Sequence, residues 1–278
     1  MLDDLPTMRE IMSHVPENVR KKYQSTEKCT DPTERECKIM NSVLGDLKGY
    51  DCQKCLNRGV TYHTKGGNIV ARECSCMEIR RSKANIERSG LKELLGQCTF
   101  ENFRDSEPWQ KDLKSGAMRF LDDHTGKWFY TGGQVGSGKT HICTAVCGEF
   151  LRRNVPVRYM LWRDEATKLK SVVNDAEEYS RLLDPLKTAP VLYVDDFFKT
   201  SDTEDGQKKR PTAGDINVAW AIINYRYINQ DLVTIISSER SIDDLLSCDE
   251  AVGSRIYQRT KEYCFYFRPD TTKNYRLR

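Results

Sequence analysis

The stretch KWFYTGGQVGSGKTHICTAV, residues 127–146, limits what this chain can fold into more than any other part of it. Gly133 is followed by four residues and then by Gly138, Lys139 and Thr140, the G-x-x-x-x-G-K-[ST] phosphate-binding pattern. Its flanks have the required character. Trp128, Phe129, Tyr130 and Thr131 are the bulky, β-favouring residues of a buried strand. After the loop, Ile142, Ala145, Val146, Phe150 and Leu151 recur at helical spacing. Strand, glycine-rich turn and helix start therefore come in order. The backbone from Gly133 through Gln134, Val135, Gly136, Ser137 and Gly138 to His141 is expected to turn its N–H groups toward the phosphates of ATP or ADP. Lys139 supplies a point charge between the β- and γ-phosphates, and the Thr140 hydroxyl a ligand for Mg²⁺.

A second constellation fits the first. Residues 190–196, PVLYVDD, read as an apolar strand ending in two carboxylates. In a parallel sheet with a phosphate loop, the carboxyl ends of the strands converge beside the phosphates. Asp195 is expected to hold Mg²⁺ through its water shell and Asp196 to polarise the attacking water. Residues 155–161 and 232–237 give two more strands, the latter running into Ser238 and Glu239, whose polar side chains reach toward the γ-phosphate. A last strand is expected over residues 262–267. Between these strands lie helical segments at 163–186 and 216–227, and within 242–264 a helix is expected that carries Arg255, with Val252 and Ile256 facing the other way. The 216–227 helix is expected to carry Trp220, Ile223 and Tyr227 inward, with Arg226 near its end. Residues 199–215 are polar and charge-mixed, hence a loop. Its Lys208, Lys209 and Arg210 read equally as a DNA-facing tip or as a solvated turn.

The chain has 278 residues, room for one ATPase domain of about 170 residues with something smaller attached. Net charge is only +3, so any nucleic-acid contact has to be a local patch. No run of about eighteen apolar residues occurs, and Asp3, Asp4 and Glu10 do not suit a signal peptide. A cytoplasmic protein with no membrane association is expected. Eleven cysteines are many for that compartment, and an odd number argues against a complete disulfide framework. Cys52 and Cys55, then Cys74 and Cys76, form two close pairs around Gly59, Gly66 and Gly67, as in two knuckles flanking a hairpin. Four thiolates so spaced suit a closed, tetrahedral Zn²⁺ site, with His63 as a substitute ligand and a redox Cys-x-x-Cys as the lesser alternative. Tyr50 and Tyr62 with Lys54, Arg58, Lys65 and Arg72 offer stacking and phosphate contacts to single-stranded DNA, or are ordinary surface.

Ahead of the cysteines, two amphipathic helices are expected in residues 1–50. One carries Leu5, Met8, Ile11, Met12 and Val15. The other runs over 32–47 with Cys37, Met40, Val43, Leu44 and Leu47 on one side. They either dock on a partner or pack back on the chain; Cys29 reads as a free thiol. A basic linker helix is expected over 78–97, and residues 98–278 as the ATPase domain. Phe100 and Phe103 at its start belong beside the base and ribose of a nucleotide, or simply in the core. The resulting division is 1–50, 51–77 for the zinc module, 78–97 and 98–278.

Taken together, the phosphate loop, Asp195 and Asp196, the Gly253-Ser254-Arg255-Ile256 element and the cysteine module resemble bacterial or phage replicative helicase loaders of the DnaC/DnaI type, which are AAA+ ATPases. The resemblance implies an α/β fold, a five-stranded parallel sheet between helices. It implies that Lys139 binds phosphates, that Thr140 and Asp195 hold Mg²⁺, and that Asp196 is the acidic catalytic position. Arg255 becomes an arginine finger acting across a subunit boundary in a homo-oligomer. The implied partners are a replicative hexameric DNA helicase, gripped by the N-terminal region, and single-stranded DNA. Two departures stand out. The sensor 1 position, commonly Asn, falls on Ser238 or Glu239, where a carboxylate needs a water or a partner such as Arg240 or an Arg255 coming in from a neighbouring copy. The eleven residues after the last expected strand are too few for the usual helical lid, so its sensor 2 arginine is missing. Weak, partner-dependent hydrolysis follows. A helper ATPase of DNA transposition (IstB-like) shares this core, and a nucleotide-gated, non-hydrolysing adaptor or a nucleoside kinase are the remaining readings.

Overall fold

The computed structural model describes residues 31–88, 91–200 and 209–277. The helix expected around Leu5–Val15, Cys29 and Lys208 lie outside the described residues. The chain divides into two compact units between Arg81 and Ser82.

In the first unit, α1 (Pro32–Ser42) starts at an Asp31 cap whose carboxylate accepts from the Thr33 N–H. It is shorter than the 32–47 expected. Val43 is already extended and Leu44 is exposed. Beyond the helix the backbone turns to bond the knuckle instead, through Gly45 N–H to Leu56 C=O and Leu47 N–H to Asn57 C=O. β1 (Val60–Lys65) and β2 (Asn68–Glu73) form an antiparallel hairpin. Its two-residue turn, Gly66-Gly67, has positive φ at both positions, which suits the right-handed twist of the strands. The side-chain amide of Asn41 on α1 bonds both the N–H and the C=O of Tyr62, at 2.9 and 2.7 Å, and so fixes the helix on the hairpin.

α2 (Cys76–Arg88) starts in the first unit, and its residues from Ser82 onward belong to the second. α3 (Leu91–Gln97) follows, so the linker helix expected over 78–97 falls on α2 and α3, with Ser89 and Gly90 outside the described residues. Ile86 and Leu91 are core residues of the second unit. That unit continues with α4 (Pro108–Asp122), β3 (Phe129–Gly133), α5 (Lys139–Arg152), β4 (Val157–Leu161), α6 (Trp162–Ser171) and α7 (Ala176–Thr188). After these come β5 (Val191–Asp195), α8 (Ala213–Ile228), β6 (Val233–Ser237), α9 (Ile242–Cys248), α10 (Glu250–Thr260) and β7 (Cys264–Phe267). The five strands form one parallel sheet in the order β4-β5-β6-β3-β7.

Every residue of β3, β5 and β6 is buried, as expected of central strands with helices on both faces. Alternation assigns the faces. Phe129, Val191, Tyr193 and Ile235 join the layer with α4 and α5, whereas Trp128, Tyr130, Leu192, Val194 and Ile236 join the layer with α6, α8 and α10. The expected helix over 163–186 is two helices, and the stretch from Ile242 to Thr260 likewise holds two. Asp175 and Asp249 account for the breaks, since each accepts from an N–H of the helix that follows it.

α8 differs from expectation in its facing. Ile223 is inward, but Trp220 is 38% exposed, and it is Arg226 that is fully buried. The Arg226 guanidinium donates to the carbonyls of Leu186, Lys187 and Ala189 at the end of α7, to Val233 C=O and to Thr234 Oγ1. It thereby satisfies the orphan acceptors of one helix and ties them to β6. Burial, with Arg259 nearby, lowers its pKa to about 9. Arg226→Met strands those acceptors, so we expect a loss of about 3–5 kcal/mol. That corresponds to a thermal midpoint lower by about 10 °C for a unit of this size. A midpoint within about 2 °C of wild type contradicts this role.

Candidate nucleotide site and cysteine cluster

β3 delivers the glycine-rich turn to the carboxyl end of the sheet, and α5 starts at Lys139. Gly133 has φ +96°, and a Cβ there would lie 2.0 Å from the Phe267 carbonyl oxygen. Only glycine lets the loop turn this close to β7. The loop closes on itself: Lys139 Nζ donates to Gly133 C=O at 3.0 Å and to Gln134 C=O at 2.7 Å, and Ser137 Oγ also donates to Gln134 C=O. The Gln134 N–H bonds Phe267 C=O.

A cleft of about 350 Å³ opens beside the loop, lined by Val135, Gly136, Gly138, Lys139, Thr140, His141, Asp196 and Glu239 among others. Asp195 lies behind it, buried. Its Oδ1 accepts from Thr140 Oγ1 at 3.4 Å, from Tyr193 Oη at 2.7 Å and from Ser237 Oγ, and its Oδ2 from Tyr159 Oη at 3.1 Å. Burial and this carboxylate push both tyrosines well above the ordinary phenol range, so they remain donors. Thr140 and Asp195 are thus fixed next to each other, a hydroxyl and a carboxylate of the oxygen type that Mg²⁺ takes.

Asp196 follows in the left-handed region, φ 54°, its N–H held by Ser237 Oγ at 3.1 Å. Glu239 has a cationic partner that was not considered from the sequence. It meets Lys199 at 3.2 Å, and the same ammonium lies 2.8 Å from Asp196 Oδ2. Burial works against the Lys199 charge, but these two carboxylates outweigh it and raise its pKa. Arg240 is buried and donates to Phe198 C=O, Thr200 Oγ1 and Lys209 C=O. Ser238 is buried too, its hydroxyl on Phe197 C=O, so of the two sensor candidates Glu239 faces the cleft.

A neighbouring cavity of about 280 Å³ lies between Phe103, Arg104, Ser137, His141 and Tyr275. Phe100 is purely a core residue, whereas Phe103 is both core and cavity wall. His141 Nε2 lies 2.9 Å from Thr99 C=O, with its ring edge-on to Phe103.

In the first unit the Sγ atoms of Cys52, Cys55, Cys74 and Cys76 all lie within 4.8 Å of one another, and all four residues are buried. Cys52–Cys74 and Cys55–Cys76 are 3.8 and 3.5 Å apart. A tetrahedron with ~2.3 Å Zn–S bonds needs sulfurs about 3.8 Å apart, so the donor set fits Zn²⁺. Burial raises the Cys55 thiol, but the Gly59 N–H donating to it and the neighbouring sulfurs outweigh this and lower it. His63 stands outside the cluster, with Nε2 3.0 Å from Thr61 Oγ1.

No protein-family model matches the chain. The phage-like element PBSX protein XkdC of Bacillus subtilis (strain 168) is 33% identical over 227 residues, covering 78% of this chain and 82% of that protein. The replicative helicase loader DnaC of Escherichia coli (strain K12) is 29% identical over 130 residues, 46% of this chain and 52% of DnaC, so the chain spans about half of that loader's length. The chain is homologous to the DnaC/DnaI-type AAA+ family. Its fold agrees: the crystal structure of the DnaC helicase loader superposes with a TM-score of 0.53 at 21% identity, over 64% of this chain and 99% of that one.

Within this AAA+ core Arg255 is not among the residues lining the cleft. It lies on α10, its guanidinium 4.3 Å from the Trp220 ring and 5.3 Å from that of Tyr227, with Nε donating to Asn224 Oδ1. That stack explains why Trp220 points outward. Sequence reasoning also missed the segment after β7. It forms two 3₁₀ turns, Thr271–Lys273 and Tyr275–Leu277, that bond the phosphate loop through Tyr275 N–H to Gly136 C=O and Asp270 N–H to Gln134 Oε1. Arg276 thereby joins the cleft wall.

Proposed function

We propose that this protein is an ATP-dependent loader that binds a replicative hexameric DNA helicase and delivers it onto single-stranded DNA. The observation that supports this most is the convergence of Lys139, Thr140, Asp195 and Asp196 at one end of an AAA+ sheet, in a chain of the DnaC/DnaI-type family. The phosphates of ATP or ADP lie along residues 133–141, with Lys139 released from the loop carbonyls onto them. The Thr140 hydroxyl and the Asp195 carboxylate would hold Mg²⁺, which would neutralise charge on the phosphate oxygens. Asp196 orients the attacking water. Arg255, presented by Trp220 and Tyr227, completes the site of a neighbouring copy, so hydrolysis is slow until copies assemble. Residues 98–278 are the ATPase domain and 51–77 the zinc module, with 78–97 between them and residues 1–50 gripping the helicase. Of the described helices, none is long and apolar enough to cross a membrane, and we place the protein in the cytoplasm.

Retention of the full acidic set separates this reading from a non-hydrolysing adaptor. Co-purification separates it from a transposition helper. With ATP present the full-length protein is expected to retain the hexameric helicase; retention of a transposase and not the helicase refutes the loader assignment.

A further inference from the structure

The cleft contains a second lysine besides Lys139, and the backbone takes an unusual path to place it there. After β5, Asp196 (φ 54°) and Phe198 (φ 53°) both enter the left-handed region. A bulky aromatic residue is a genuine outlier in that region, and such outliers persist only where their surroundings over-determine them. These surroundings do. Phe197 and Phe198 are buried and stacked at 4.1 Å, and both meet Trp162 edge-on. Ser238 Oγ holds Phe197 C=O, Arg240 Nε holds Phe198 C=O, and the Lys199 N–H closes the turn on Asp196 C=O at 2.9 Å. The result is that Lys199 doubles back over the residue that starts the turn. Its ammonium bridges Asp196 and Glu239 on the wall that Lys139 and Thr140 share.

Two carboxylates on that wall repel a triphosphate, most strongly at its γ end, unless a cation is available there. Lys199 is the side chain already placed between them, and it is 39% exposed, so it moves by rotating its own stem.

We propose that Lys199 is a γ-phosphate ligand: it bridges Asp196 and Glu239 in the resting cleft and turns onto the γ-phosphate oxygens when ATP enters, a contact ADP cannot make. This rests on the reading of the cleft as an ATP site. The exchange has two effects. It gives the transferring phosphoryl group a cation from the same subunit. It also frees the Asp196 carboxylate to accept from the attacking water. In hydrolysis the water oxygen bonds to the γ-phosphorus while the bond to the β-bridging oxygen breaks. The electron pair leaves with ADP, and the water proton passes through Asp196 to solvent. When phosphate departs, the ammonium returns to Asp196 and Glu239.

The test uses full-length Lys199→Met and Lys199→Gln, the latter keeping a hydrogen-bonding group beside Asp196. Equilibrium binding of Mg-ATP and of ADP is measured together with single-turnover hydrolysis. The proposal expects ADP affinity within about twofold of wild type, with ATP affinity and single-turnover rate each lower by about tenfold or more. Either variant retaining the wild-type ATP-to-ADP preference and rate, or hydrolysing faster than wild type, overturns it. Failure of the underlying reading looks different: wild-type protein binds neither nucleotide, or Lys139→Ala binds ATP as well as wild type does.

Discussion

Lys139→Ala is expected to lower ATP and ADP affinity by about 100-fold or more, with the fold unchanged, as read by equilibrium nucleotide binding and thermal unfolding. Lys139 is buried, and its ammonium lies among the phosphate-loop carbonyls of Gly133 and Gln134. It is therefore poised where the β- and γ-phosphates enter, on the N-terminal turn of α5. Alanine removes the point charge and leaves the backbone donors, which alone cannot neutralise a triphosphate. Asp196→Asn should give the opposite split. Asparagine tolerates the left-handed φ of this position, so nucleotide still binds, whereas single-turnover hydrolysis falls by about 100-fold. An Asp196→Asn protein with undiminished turnover removes Asp196 from the catalytic position.

The second large effect concerns the cysteine cluster. The double variant Cys74→Ser, Cys76→Ser is expected to lose bound zinc and with it the folded first unit. Metal analysis should give about one Zn²⁺ per chain for wild type and none for the variant. The reason is size. Among the described residues of that unit, the buried apolar groups are few beyond α1 and the cysteines themselves. Zinc binding at structural sites is worth about 10–16 kcal/mol, more than a hairpin of this length supplies by burial. Proteolysis of the variant should then cut within the hairpin while the residues from Ser82 onward survive as a fragment. Stoichiometric zinc in the variant contradicts the ligand set.

The parts of the site that were legible in the sequence are those written in local chemistry. Gly133 to Thr140, the apolar strand ending at Asp195 and Asp196, and the paired cysteines each declare themselves within a few residues, because geometry and bonding are satisfied locally. What was not legible depends on contacts between distant segments. Trp220 has the same helical spacing as Ile223, and periodicity alone cannot distinguish a core tryptophan from one that stacks on Arg255 from another helix. Arg226 read as a residue near a helix end, yet its burial follows from acceptors on α7 and β6. The charge around Glu239 turned on Lys199, forty residues earlier in the chain, whose position depends on two left-handed residues, one of them Phe198, where propensity disfavours that conformation.

One rate measurement tests whether the protein is an assembly-dependent ATPase that acts on a helicase. Steady-state ATP hydrolysis is followed for the protein alone, with single-stranded DNA, with the hexameric replicative helicase, and with both. Slow hydrolysis is expected for the protein alone, with a rise of about tenfold or more when helicase and DNA are both present, lost in Arg255→Ala. Fast hydrolysis by the isolated protein that is indifferent to both partners and to Arg255 would contradict it.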